Sequence, residues 1–199
     1  MKIAITAIAA IAGAATASPY FTAANGYEGV SSSPAGAVAT ITLDISGIQT
    51  FDEQGNTSFN TFLFPNIGAN AQVIGLGWDV SQTAGIDTNG FSWLSEMTIA
   101  FGGTSGPAVF LAPSGTSGPG TESNSSGGIL DLVGLTLDFF VDADGILVME
   151  FFEGFVDEAG VAEGIFNSGS TIQVQYVVPA PGALAMLGLG GLVAGRRRR

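Results

Sequence analysis

The sequence predicts an all-β fold, a single β-sandwich of the jelly-roll type, with a signal helix before it and a transmembrane helix after it. Three observations predict this fold class. Eight short segments rich in Val, Ile, Thr and aromatic residues are separated by Gly, Asn, Ser and Pro. No long stretch repeats apolar residues with the helical period of about 3.6. With 30 Gly and 14 Phe in 199 residues, the composition is typical of a loop-rich β protein.

The N-terminal segment has the layout of a secretory signal peptide. Lys2 is followed by an uncharged, mostly apolar run and then by Ala15-Thr16-Ala17. Polar residues are too few to give this run a second face, which argues against an amphipathic helix of the folded domain. We therefore predict a signal peptide at 1–17, cleaved between Ala17 and Ser18, and export of the protein. Residues 18–36 are expected to form a loosely ordered mature N-terminus.

Residues 37–178 are predicted to form an acidic β-sandwich domain. The segment AVATITLDI alternates apolar or β-branched residues with polar ones, as a half-buried strand does. The polar stretch 114–128, SGTSGPGTESNSSGG, is expected to be a flexible loop. Together the predicted strands cover 37–45, 60–65, 71–80, 91–101, 107–113, 135–141, 146–152 and 171–178.

The charges are distributed very unevenly along the chain. The five basic residues are Lys2 and the last four arginines, whereas all 17 acidic residues lie between Glu28 and Glu163. Because residues 18–195 contain no Lys or Arg, they offer no cationic side chain to phosphate groups, and we expect no nucleic-acid partner. They also lack His and Cys, and with them the usual general base, thiolate nucleophile and zinc ligands. We expect a protein that is not an enzyme and that needs no cofactor, with Ca²⁺ the one ion left open.

The C-terminal segment resembles a membrane helix with a cytoplasmic basic anchor. Residues 183–195 are uncharged and rich in Gly, Ala and Leu, and Arg196, Arg197, Arg198 and Arg199 follow them. Counted from Val177, the uncharged run would make about 28 Å of helix, close to the roughly 30 Å of a bilayer core. Glycine is tolerated better in membrane helices than in soluble ones, and flanking arginines mark the cytoplasmic side. The acidic domain would then lie outside the membrane.

This tripartite end, Pro179-Ala180-Pro181 followed by an apolar helix and an Arg cluster, resembles the PEP-CTERM sorting signal. Ala180 stands where that family usually has Glu. The resemblance covers residues 179–199 and implies the export machinery and a membrane exosortase as partners, with the membrane as a transient anchor before processing. It also implies delivery to the cell surface or extracellular matrix of a Gram-negative-type bacterium, among exopolysaccharides.

The stretch VDADG invites a calcium interpretation. Asp142 and Asp144 supply hard oxygen ligands, and Asp138 lies nearby. An EF-hand loop would need an oxygen ligand where Ile146 stands, so the stretch is not an EF-hand. The Asp-Gly pair favours a hairpin turn between the two strands predicted on either side of it. Two interpretations stay open, a hairpin turn alone and a hairpin that also binds Ca²⁺ through Asp138, Asp142 and Asp144.

Two further groups of residues bear on function. Paired carboxylates are the machinery of most glycosidases, and a group of acidic residues could supply such a pair: Glu150, Glu153, Asp157, Glu158 and Glu163. Three aromatic residues, Trp78, Trp93 and Tyr176, could form a platform on which sugars stack, but their apolar surroundings favour core packing instead.

The leading hypothesis is a non-catalytic exported surface or matrix protein. The alternative is a β-sandwich module that binds a carbohydrate or Ca²⁺, and a polysaccharide hydrolase ranks third.

Overall fold

The computed structural model describes residues 6–7, 20–24 and 36–179. Across these ranges the chain forms strands, turns and loops, with no helix long and apolar enough to cross a membrane. The all-β prediction is confirmed for them, whereas the two predicted terminal helices lie outside them, apart from Thr6–Ala7 and Pro179. In chain order the strands are β1 (Thr6–Ala7), β2 (Tyr20–Ala23), β3 (Gly36–Asp44), β4 (Gln49–Thr50), β5 (Thr61–Leu63), β6 (Gln72–Ala84), β7 (Met97–Gly103), β8 (Gly106–Ala112), β9 (Gly120–Ser125), β10 (Leu130–Asp131), β11 (Phe139–Phe140), β12 (Val148–Glu153), β13 (Gly164–Phe166) and β14 (Thr171–Pro179).

The strands form two antiparallel sheets that pack as a sandwich. The first sheet has six strands in the order β1-β2-β8-β7-β12-β5. The second sheet has eight strands and is organised around β6, which is 13 residues long. One edge of β6 pairs with β14 and β13, and its other edge pairs with β9, β10 and β11. Strands β3 and β4 complete the second sheet by pairing with β14 and β13.

Strand β14 shows how the sequence pattern places side chains in the core. Ile172 and Val174 are buried, and the polar residues that alternate with them, Thr171, Gln173 and Gln175, are half-buried on the other face. A β-bulge between Gln175 and Tyr176 shifts the register against β6. The extra residue of this bulge is Ile74 on β6, because Gln175 pairs with Gly75 and Tyr176 pairs with Val73.

The hydrophobic core lies between the two sheets. On β7, Ile99 and Phe101 are fully buried, as are the residues paired with them on β8 and β12, namely Leu111, Val109, Phe151 and Met149. From the second sheet, Trp78 reaches this core and meets the ring of Phe21 edge to face, with 5.6 Å between ring centroids. This contact ties β2 to β6 through side chains, since the two strands belong to different sheets.

Most predicted strands form, but the segment 91–101 is only half strand. Strand β7 begins at Met97, because the four residues before it form a turn in which the N–H of Glu96 donates to the carbonyl of Trp93 at 3.0 Å. The segment 135–141 is reduced in the same way to the two residues of β11. Thr136 has a φ of 57° there, a left-handed conformation that an extended strand does not contain.

The expectation of a flexible loop at 114–128 is wrong for its middle. Residues 120–125 form β9, which pairs with the C-terminal half of β6 over six residues. The polar sequence GTESNS can form this strand because its pairing with β6 uses backbone groups. Of its side chains, only that of Asn124 is buried.

The hairpin expected at VDADG is also wrong. The turn itself exists, since the N–H of Gly145 donates to the carbonyl of Asp142 at 3.0 Å. However, β11 before it pairs with β6 in the second sheet, whereas β12 after it pairs with β5 and β7 in the first. The turn therefore carries the chain from one sheet to the other. Gly145 has a φ of 77°, and an added Cβ would lie 2.7 Å from the backbone of Gly68, so glycine is required there.

Candidate functional site

The predicted sorting and cleavage residues lie almost entirely beyond the described ranges. Pro179 is the last residue of β14, where it pairs with Gly36. The remaining residues of this group fall outside the described part of the chain: Ala17, Ser18, Ala180, Pro181, Arg196, Arg197, Arg198 and Arg199.

Two of the three predicted calcium ligands meet at one hydroxyl group. Thr104 Oγ1 lies 3.0 Å from Asp142 Oδ2 and 2.8 Å from Asp144 Oδ2. One hydroxyl hydrogen cannot serve both carboxylates at once, so the two acidic groups share it. The backbone N–H of Ser105 donates to Asp142 at 2.7 Å, and this bond is the main cause that lowers the pKa of Asp142. Asp142 is therefore held in its charged form.

The third predicted ligand, Asp138, has different partners. It is fully buried, and Gln72 Nε2 donates to its Oδ2 at 2.7 Å. Within the described ranges, no three acidic side chains come together in an arrangement that could hold a metal ion. The structure thus brings Asp142 and Asp144 together at Thr104 and places Asp138 against Gln72.

The outer face of the first sheet carries a groove of about 540 Å³. Side chains alternate along each strand, so the residues between those of the core point outward. One outward row runs across β7, β12 and β5 through Ala100, Glu150 and Phe62. We call this cavity the outer groove, and its lining consists of Thr57, Phe62, Phe64, Ala100, Phe101, Gly102, Gly103, Thr104, Gly106, Pro107, Val148 and Glu150.

Aromatic rings and polar groups are both available in the outer groove. The rings of Phe62 and Phe64 are nearly parallel, at 7° with centroids 6.0 Å apart, and Phe64 is 60% exposed. Glu150 accepts hydrogen bonds from the N–H of Gly55 at 2.6 Å and from Asn60 Nδ2 at 2.8 Å. Thr104 adds its hydroxyl group, shared with the two aspartates. An apolar surface beside oxygen acceptors and a hydroxyl suits a ligand with both apolar and hydroxyl-bearing edges.

The close approach of β7 and β8 shapes this groove at Gly102. The register of the two strands shifts between Phe101 and Gly102, which marks a bulge. An added Cβ on Gly102 would lie 2.6 Å from Cα of Pro107, nearer than real contacts allow. Any side chain at Gly102 would push β8 away.

Among the acidic residues proposed for glycosidase chemistry, Glu153 is buried and protonated at neutral pH. It is 1% exposed, and burial is the main cause that raises its pKa to about 9. The hydroxyl of Thr50 donates to its Oε1 and opposes this shift, whereas the negative charges of Glu163, Glu96 and Asp157 increase it. Its other oxygen has no hydrogen-bond partner within the described residues.

Glu163 fastens the loop that follows β12. Its Oε1 accepts the backbone N–H groups of Asp157 at 2.8 Å and Glu158 at 2.6 Å. Burial raises the pKa of Glu163, the two backbone hydrogen bonds lower it, and the charges of Asp157 and Asp87 raise it further. Glu150, Glu153 and Glu163 therefore each accept at least one hydrogen bond from another residue of the domain.

Of the three aromatic residues considered for a sugar platform, Trp78 is not available for one. Trp78 is buried in the core, as its apolar strand suggested, whereas Trp93 is 44% exposed. The half-buried Phe62 and the exposed Phe64 were missed as site residues. Their signal was present in the segment NTFLFP, because residues two apart on a strand share one face.

Comparison with known proteins adds little. No protein-family profile and no curated protein matches this chain. A solved structure of the infectious bursal disease virus Gt strain is similar at 12% sequence identity and a TM-score of 0.25, over 81% of this chain. The chain spans 48% of that viral chain, and a TM-score this low carries no argument about fold or function.

Proposed function

We propose that this protein is an exported, non-catalytic component of the cell surface or extracellular matrix. The observation that carries the proposal is the order of features at its C-terminal end. Pro179-Ala180-Pro181 precedes an uncharged apolar run, and Arg196 to Arg199 follow it, an arrangement similar to the PEP-CTERM sorting signal. The signal-peptide pattern before Ser18 supports the same destination.

The position of the sorting motif agrees with this proposal. Strand β14 pairs with β3 along its whole length, and its last residue, Pro179, is the first residue of the motif. We take the sandwich to be of the jelly-roll type, because the chain alternates repeatedly between the two sheets.

The positions of the acidic residues support a non-catalytic role. A glycosidase pair needs two carboxyl groups that face a common substrate. Here Glu150 binds Gly55 and Asn60, and Glu163 binds two backbone N–H groups. These contacts give the carboxylates structural tasks in the domain.

The sorting proposal is tested by fractionating cells that express the full-length chain. Deleting residues 182–199 should move the protein out of its membrane or surface fraction, and replacing Arg196 to Arg199 with Gln should have the same effect. Replacing them with Lys is the matched control, since Lys keeps the positive charge that orients a membrane segment. If the deletion leaves the fractionation unchanged, the proposal fails.

A second function, binding of a neutral carbohydrate, is favoured by the outer groove. The face of a sugar ring is apolar and its rim carries hydroxyl groups. The nearly parallel rings of Phe62 and Phe64 would contact the face, and Glu150 and Thr104 would accept or donate at the rim. The high density of carboxylates disfavours an anionic polysaccharide.

A glycan array, run with and without Ca²⁺, tests this second function. Phe64→Ala should abolish binding of the glycans retained by the wild-type protein. Phe140→Ala is the matched control, because Phe140 is 43% exposed but does not line the groove. If the wild-type protein binds no glycan, or if the two variants bind equally well, the proposal that this groove binds a carbohydrate is refuted.

A further inference from the structure

A second cavity, of about 470 Å³, gathers exposed aromatic rings and carboxylates. Its lining comprises Phe91, Trp93, Glu96, Phe155 and Asp157, and we call it the aromatic cavity. The three rings are 66%, 44% and 62% exposed, in that order. Large apolar side chains that cluster on a surface mark a site of interaction more often than isolated ones do.

The wall formed by residues 91–96 is fixed by the local sequence. Ser92 and Leu94 are buried, so the alternation turns Phe91 and Trp93 outward. The turn is closed by the hydrogen bond from the Glu96 N–H to the Trp93 carbonyl, and the Trp93 N–H donates to Glu96 Oε2 at 2.8 Å. The Glu96 carboxylate is thereby held at the cavity in a defined orientation.

The second wall, which contains Phe155 and Asp157, is tied to the first by a backbone hydrogen bond. Gly154, the residue before Phe155, donates its N–H to the carbonyl of Glu96 at 2.8 Å. Asp157 donates its own N–H to the buried Glu163. Both walls are therefore positioned by the fold before any ligand arrives, which reduces the entropy cost of binding.

The two carboxylates of the aromatic cavity, those of Glu96 and Asp157, have no cationic side chain within residues 18–195 to balance their charge. Burial raises the pKa of Glu96, the Trp93 N–H lowers it, and the nearby charge of Asp157 raises it. The charges of Glu96 and Asp157 also raise the pKa of the buried Glu153. Residues 18–195 contain no Lys, Arg or His, so no side chain of the domain can neutralise this pair. A bound cation would relieve the repulsion.

We propose that the aromatic cavity binds a quaternary ammonium group on a small soluble compound that carries no phosphate. Aromatic faces attract such cations, and cages of aromatic residues recognise them. The two carboxylates add charge attraction. A neutral sugar would leave the carboxylate repulsion in place, and a hard metal ion would gain little from the rings. A phosphate next to the ammonium group would be repelled by the acidic surface. This inference does not depend on the proposed function.

The proposal is tested by titrating the full chain with choline chloride against NaCl at matched ionic strength. Binding is read by calorimetry and by the fluorescence of the exposed Trp93. The neutral isostere 3,3-dimethylbutan-1-ol keeps the shape and removes the charge, so it should bind about tenfold more weakly or worse. Phosphocholine should also bind more weakly than choline.

Variants separate this cavity from the outer groove. Trp93→Ala and Phe155→Ala should abolish choline binding, and Asp157→Asn, a change at an exposed side chain, should weaken it several-fold without affecting folding. Phe64→Ala should leave it unchanged. The proposal is overturned if choline does not bind, if the neutral isostere binds equally well, or if Asp157→Asn binds choline as tightly as the wild type.

Discussion

The substitution Glu153→Gln should change how the stability of the domain depends on pH. Glu153 is buried, and its pKa is raised from 4.5 to about 9 in the folded protein. Between these two values the unfolded chain has released the proton and the folded chain still holds it. Folding therefore takes up a proton, and stability falls as pH rises, by at most about 1.4 kcal/mol per pH unit.

The size of the effect follows from the same values. With an unfolded pKa of 4.5, the wild-type protein loses about 2.5 kcal/mol between pH 5 and pH 7 through Glu153. Glutamine does not titrate, so the variant lacks this loss. Its amide also leaves buried donors unpaired, which costs about 1–3 kcal/mol at every pH and cancels when the two pH values are compared.

Urea denaturation at pH 5, 6 and 7 and constant ionic strength measures this difference. The free energy of unfolding of Glu153→Gln minus that of the wild type should increase by about 2.5 kcal/mol from pH 5 to pH 7. Glu53→Gln removes one charge from an exposed side chain and controls for net charge. A difference that stays constant over this range would refute the reasoning, because Glu153 would then be ionised in the folded protein.

Three further predictions concern stability. The melting temperature should rise steeply as NaCl increases from about 0.01 to 1 M, because the screening length falls from about 30 to 3 Å and relieves repulsion among the carboxylates; a flat response would refute this. If Asp142 and Asp144 bind Ca²⁺, millimolar CaCl₂ should raise the melting temperature more than MgCl₂ does, and Asp142→Ala should abolish this difference. Equal rises of the melting temperature with the two salts would exclude a specific Ca²⁺ site. Phe101→Ala should cost about 3–5 kcal/mol in urea denaturation and Phe140→Ala much less, and similar costs would contradict the placement of the core.

Strands whose side chains alternate between the core side and the solvent side could be predicted from the sequence. Strands β3 and β14 alternate apolar and polar residues, and their ladder runs from Gly36 to Asp44 on one strand and from Thr171 to Pro179 on the other. Burial of one face imposes this alternation, so the sequence carries it directly. The apolar run of β6 was also identified, although the structure extends it to Ala84.

What could not be predicted depends on contacts far apart in the chain. Strand β9 is polar and is a strand only because β6 offers a free edge. The turn at Asp142 to Gly145 was predicted, but the sequence of a turn does not determine which sheet the strands on either side of it join. Likewise, the aromatic cavity joins Trp93 and Phe155 from two loops, and no local pattern links residues 62 positions apart.

The most direct test of export is the N-terminal sequence of the protein recovered from the cell surface. Cleavage after Ala17 predicts that the recovered chain begins Ser18-Pro19-Tyr20, with an intact mass that lacks residues 1–17. A recovered chain that still begins at Met1, or one found only inside the cell, would contradict the account of an exported surface protein.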